Sequence, residues 1–150
     1  MRGVVYIVPA VLVACAPTGG QLEKTELLDM MRSLATENLG LTPITCADAA
    51  FRRDPTNACY AAPYSADEFM TKAETLLTSK GFSSVTGWRD DYGVASTAVQ
   101  YRGTPQRIGM YYARPTSFWD QPRYAELRAL KAQGQVMVSV SETDPAERAE

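Results

Sequence analysis

Residues 94–113 read VASTAVQYRGTPQRIGMYYA, and this stretch decides how the chain folds. Val94–Tyr101 and Arg107–Ala113 are strand-like runs, and Gly103-Thr104-Pro105 between them has turn composition. Runs joined by so short a link pair antiparallel, because a parallel crossover needs a dozen or more residues. Side chains alternate along a strand, so Ile108, Met110 and Tyr112 share one face and Gly109, Tyr111 and Ala113 the other. Both faces carry bulk, which predicts a strand at the centre of a sheet or covered on two sides.

Working outward, Ser83–Arg89 reads as a third strand around Val85 and Trp88, closed by a turn at Asp90-Asp91-Tyr92-Gly93. Three turn-linked strands make an antiparallel meander. Downstream, Pro115–Trp119 is a link. Asp120 can cap a helix with Pro122 in its first turn and Tyr124, Leu127 and Leu130 on its apolar stripe. Gly134 ends that helix, and Gln135–Val140 alternates as a last strand with Val136, Val138 and Val140 inward. Upstream, Ser65-Ala66-Asp67-Glu68 spells a capping box. The helix it opens runs to about Lys80, carries Phe69, Ala73, Leu76 and Leu77 on one stripe, and stops at Gly81. An earlier helix over 22–38 places Leu27, Met30, Met31 and Leu34 at spacings of three and four, and Gly40 stops it. Between these helices, residues 41–64 are punctuated by Pro43, Pro55 and Pro63 and read as irregular, with a turn at Asp54-Pro55-Thr56-Asn57.

The expected fold class is therefore α+β: a two-layer sandwich with an antiparallel sheet of about four strands and helices packed on it. The expected order is α-loop-α-β-β-β-α-β. One domain spans 22–141, and 142–150, ETDPAERAE, is charged with no large apolar side chain, the composition of a disordered tail.

Composition narrows the chemistry. Histidine is absent, which removes the commonest general base and metal ligand together. The net charge is −2, so no nucleic-acid footprint is expected. No phosphate-cradling glycine loop, nucleophile elbow or calcium loop is present, and no cofactor is expected. Asp90 and Asp91 are adjacent and read as turn chemistry rather than an acid/base pair. Arg52 and Arg53 could meet an anion or a partner, or form a solvated pair. Tyr111, Tyr112, Arg114, Trp119 and Arg123 form the candidate recognition patch, because tyrosine, tryptophan and arginine combine contact area with polar handles. Packing at a sheet–helix junction is the other reading of the same residues.

The N-terminus reads MRGVVYIVPAVLVACAPTGG. A basic residue precedes an apolar stretch of about twelve residues, short of the roughly 20 that span a bilayer. Val4–Val8 also has strand propensity, which leaves a buried N-terminal strand as another reading, and a signal without lipid as a third. Leu12-Val13-Ala14-Cys15 resembles the lipobox of bacterial lipoproteins. The resemblance implies a signal over 1–14, cleavage before Cys15, and lipid on Cys15 that inserts in the bilayer. Ala16 stands where an inner-membrane retention Asp would, which by the same resemblance favours the periplasmic face of the outer membrane. Residues 15–21, small and rich in glycine, then form a tether. With Cys15 lipidated, Cys46 and Cys59 remain as a pair, read as a structural disulfide in an oxidising compartment, or else as two free buried thiols. The expected function is a non-enzymatic, membrane-tethered binding or envelope-assembly module with an envelope protein or small ligand as partner. A small-ligand or glycan-binding lipoprotein is the alternative, and a carboxylate enzyme working without histidine is a third reading.

Overall fold

The expected hairpin is the middle of the molecule. In the computed structural model, which describes residues 23–102 and 104–142, Val94–Tyr101 (β5) and Gln106–Ala113 (β6) pair antiparallel from Val94–Ala113 to Gln100–Arg107. The signal segment, Cys15, the tether and residues 143–150 lie outside the described residues. Gly134–Glu142 (β7) pairs along the other side of β6 and reaches one residue into the segment read as tail. The strand with bulk on both faces therefore lies between two long neighbours.

The fold is α+β with one open antiparallel sheet, but that sheet has seven strands rather than about four. Two of them come from the segment read as irregular: Thr42–Ile44 (β1) and Asn57–Ala62 (β2). Pro43 sits in β1 at the sheet edge, where a missing N–H is tolerated, while Pro55 and Pro63 bracket β2 without interrupting it. The small residues of β2, NACYAA, have little strand propensity of their own. Six register pairs with β7, from Asn57–Ser139 to Ala62–Gly134, place them in the sheet.

The run expected as one strand over Ser83–Arg89 is split. Phe82–Ser84 (β3) and Arg89–Asp91 (β4) both pair with β5, and Val85–Trp88 bends between them. Asp90 and Asp91, read as turn, belong to β4. The loop is Tyr92-Gly93 alone, with φ of +52° and +81°, as a type I′ hairpin requires. The strand order is β1-β2-β7-β6-β5-β3, with β4 also on β5.

Helices Lys24–Ser33 (α1) and Ala66–Ser79 (α3) cover one face of the sheet. Leu27, Met31 and Phe69 meet Ile108, Met110 and Val138 there, all at 1% exposure or less. The chain leaves α1 through a wide π turn, Leu34–Asn38, and stops at Gly40, φ +63°. Ser65 accepts a bond from the Glu68 N–H at 3.4 Å, as the capping motif predicts. The bond from the N-cap amide to a glutamate three residues on is seen in α1, where the Glu23 N–H donates to Glu26 at 3.0 Å.

Two hydroxyls pin this first face. Tyr112 donates to the Tyr64 carbonyl at 2.6 Å, and Tyr64 donates to the Leu39 carbonyl at 2.6 Å. The central strand, the entry to α3 and the end of the first helix are thereby joined. Burial, reinforced by Glu68 and Tyr112, pushes the Tyr64 hydroxyl up to about 12.

The helix expected after Asp120 differs most from its sequence reading. Ser117–Asp120 and Pro122–Tyr124 are two 3-10 turns, and only Ala125–Ala129 (α4) is α-helical. Nor does α4 join the helical layer. Leu127 and Trp119 pack on Ala61, whereas Tyr60 and Ala62, the neighbours of Ala61 on β2, point to α1 and α3. The short helix Ala49–Arg53 (α2) lies on the second face too, with Phe51 edge-on to Tyr111 at 6.5 Å. The two-layer expectation is thus corrected by a partial third layer.

Candidate functional site

The second face of the sheet begins with small residues. Register places Ala61, Gln135, Ala113 and Val94 in one row, and Cys59, Met137, Tyr111 and Ser96 in the next. Alanines in the first row leave depth between the two lids of the partial layer. A cleft of about 220 Å³ forms there, lined among others by Tyr92, Arg114, Trp119, Tyr124, Gln135 and Met137.

One wall is aromatic. Trp119 and Tyr124 stack at 6.0 Å with ring planes 12° apart. Trp119 is 9% exposed, and its carbonyl accepts from Arg128, which also donates to the Gln121 carbonyl at 2.8 Å. That latch holds the link against α4. Thr45 adds a tie from beyond β1, its N–H donating to Glu126 at 2.9 Å.

The opposite side is formed by Arg114 and the Tyr92-Gly93 turn, while Asp90, in register with Ala95, does not line the cleft. Arg114 grips Asp90 with both ends of its fork, at 2.8 and 2.7 Å. The Arg114 N–H donates to the Gly93 carbonyl at 3.0 Å, so the same residue locks the β4–β5 turn. Hydrogen bonding to Arg114 holds the Asp90 carboxyl below the usual range, and Asp90 raises the arginine in turn. Tyr92, at the tip of the turn, is fully exposed. Gln135 forms part of the floor, 5% exposed.

The third wall hangs on the disulfide. Cys46 and Cys59 are bonded, with Cα atoms 5.2 Å apart, joining the segment after β1 to β2. Ala47 and Asp48 follow and line the cleft. The Asp48 carboxylate caps α2, accepting from the Ala50 and Phe51 amides at 2.7 and 3.3 Å. The crosslink thus helps position α2 over Tyr111.

The five residues read as one patch do not stay together. Arg114 and Trp119 line the cleft, and Arg123 lies over the Tyr124 ring, 5.0 Å from its centroid. Tyr111 shares the face but lies beneath Phe51. Tyr112 is fully buried on the opposite face and works as a strut. Tyr92, Gln135 and Met137 were missed as cleft residues. Gln135 and Met137 were accessible from alternation, since a strand that turns Val136 and Val138 inward turns their neighbours outward.

Among the described residues no group of three His, Cys, Asp or Glu could hold a metal, and no helix is long and apolar enough to cross a membrane. No protein-family model matches this chain, no curated protein matches its sequence, and no solved structure matches its fold.

Proposed function

We propose that this protein is a lipid-anchored binding module of the bacterial cell envelope that seats a partner protein on its second sheet face and performs no catalysis. The observation that carries the reading is the cleft between Trp119–Tyr124 and the side formed by Arg114 and the Tyr92-Gly93 turn. Its volume, about 220 Å³, lies below the roughly 300–1,000 Å³ of small-molecule pockets and suits a side chain presented by a protein. Exposed aromatic groups stand near it: Tyr92 on the turn and Phe118, 60% exposed, beside Trp119 in sequence. Trp119 itself is too buried to serve as a sugar platform, which weighs against a glycan stacked on that ring.

Two features support a non-catalytic role. The sequence has no histidine. Asp54 and Asp90 are both held below the ordinary carboxylate range, Asp54 by Thr56 and Asp90 by Arg114, the opposite of what an acid catalyst needs. The anchor rests on the resemblance of Leu12-Val13-Ala14-Cys15 to a lipobox and on the disulfide, which suits an oxidising compartment.

A photo-crosslinking side chain placed at Tyr92 in the full chain tests the partner, and cell fractionation of Cys15→Ser tests the anchor. A single envelope protein captured from position 92, and lost when Trp119→Ala is added, is the expected result. Capture of nothing, or capture indifferent to Trp119→Ala, would remove the reading. Cys15→Ser should move the protein from the membrane to the soluble fraction, and unchanged membrane association would refute the anchor.

A further inference from the structure

A second cavity, of about 410 Å³, lies at the β1 edge of the sheet and falls within the range of small-molecule pockets. It exists because β1 is short. β1 ends with Ile44 opposite Cys59, while β2 begins two residues earlier, so Asn57 and Ala58 pass beyond the edge strand. The gap is framed by Arg32 and Thr36 from the first helix, by the Cys46–Cys59 disulfide and by Arg52 of α2.

The lining carries two guanidinium groups and no carboxylate. Arg32 spends one nitrogen on Asp29, at 3.0 Å across an exposed pair, and keeps its other donors. Arg52 makes no ion pair or side-chain hydrogen bond among the described residues. Two residues of the lining each hold an enclosed polar atom without a partner, on opposite faces of β2: the hydroxyl of Tyr60, a residue 2% exposed, and the Asn57 Oδ1. The Asn57 amide nitrogen donates to the Phe51 carbonyl at 3.2 Å, which leaves the oxygen as the side with an unmet demand for a donor. Buried polar atoms left unmatched are costly, and a ligand toward which these two side chains turn relieves that cost.

We infer that this cavity binds a small organic anion, a phosphate or carboxylate carrying a neighbouring hydroxyl, with Arg32 and Arg52 on the charge and Tyr60 and Asn57 on the polar body. The two arginines supply forked donors suited to such a head group. The Tyr60 hydroxyl can donate to an anionic oxygen, and the Asn57 oxygen can accept from the ligand hydroxyl. Burial pushes the Tyr60 hydroxyl up while the charge of Arg32 pulls it down, so the hydroxyl stays protonated and lies within the field of that arginine. The site is separate from the cleft, although the disulfide and α2 support both.

The probe is glycerol 3-phosphate, titrated into the full chain at low salt and followed by side-chain NMR of Arg32 and Arg52. Inorganic phosphate, neutral glycerol and vesicles containing phosphatidylglycerol are the companion arms. Saturable shifts at both arginines with glycerol 3-phosphate, weaker ones with phosphate and none with glycerol are expected. A response to vesicles alone would place the anion on a lipid and overturn the small-molecule assignment. The double variant Arg32→Gln, Arg52→Gln should lose at least about tenfold in affinity. Tyr60→Phe separates a binding role from a structural one: it should weaken binding several-fold while leaving the unfolding midpoint unchanged or higher. Equal shifts at Arg53 and Arg123, or an isotherm unaffected by the double variant, would mean an adventitious ion only and overturn the proposal.

Discussion

The two faces of the sheet are built on different principles. On the first, α1 and α3 bury an unbroken set of large apolar side chains, from Leu27 and Phe69 to Ile108 and Val138. On the second, alanines, serines and a glutamine alternate with those residues along the same strands, and two short helical lids cover only part of them. One face is filled and closed, and the other is left with relief. The strands cannot tell the faces apart, because each contributes to both. The difference lies in the size and polarity of the side chains, so stability and recognition can be read on alternating residues of one backbone.

Two glycines give the hardest test of this contrast. A Cβ at Gly134 would sit 2.0 Å from Cζ of the Tyr112 ring, which α3 and the Tyr64 carbonyl prevent from retreating. Gly134→Ala should cost more than about 4 kcal/mol or abolish folding, measured by urea denaturation. A Cβ at Gly109 would meet the outer end of Tyr111 at 2.8 Å, on the face with room to yield. Gly109→Ala should cost about 1 kcal/mol. Equal costs at the two positions would break the comparison.

Next in size is the disulfide. Replacing Cys46 and Cys59 together by serine should lower stability by roughly 3 kcal/mol in the chain-entropy account. The loss should appear as loosened α2 and cleft signals in hydrogen exchange, with the α1–α3 face retained. Collapse of protection on the first face instead would show that the two halves are not independent.

A smaller effect separates the adjacent tyrosines. Tyr112→Phe leaves the Tyr64 carbonyl without its donor and should cost about 1–2 kcal/mol, whereas Tyr111→Phe should be near neutral. The smallest is a pH effect. The Tyr64 hydroxyl is raised to about 12 in the folded protein, against about 10 for an unperturbed tyrosine. A raised value means the folded state favours the protonated form. Its contribution is complete below about pH 10 and fades as pH rises toward 12. Tyr64→Phe should flatten that alkaline loss in a stability-versus-pH series.

The sequence made the centre of the sheet legible and its margins opaque. Alternation in Ile108, Met110 and Tyr112 and in Val136, Val138 and Val140 was strong enough to assign strands, faces and central placement. β2 carried no such signal: alanines, a cysteine and one tyrosine form a strand only because β7 offers a partner along its length. The same holds for the candidate site. Arg114 and Trp119 were legible as chemistry, but neighbours in sequence point to opposite sides of a strand, so Tyr112 could not share a surface with Tyr111. Tyr92 was hidden because the two-residue loop was read as four.

The margins carry one more consequence. A sheet this open ends in two rows of backbone groups, and such rows can recruit the strands of other molecules. Here one border is three residues long with a proline in its middle, and the other is broken into β3 and β4 by the bend at Val85–Trp88. Among the described residues, neither offers a neighbour a continuous run to copy. Copies of this protein crowded together should therefore remain separate particles rather than zip into fibrils, whatever else their exposed aromatic groups attract.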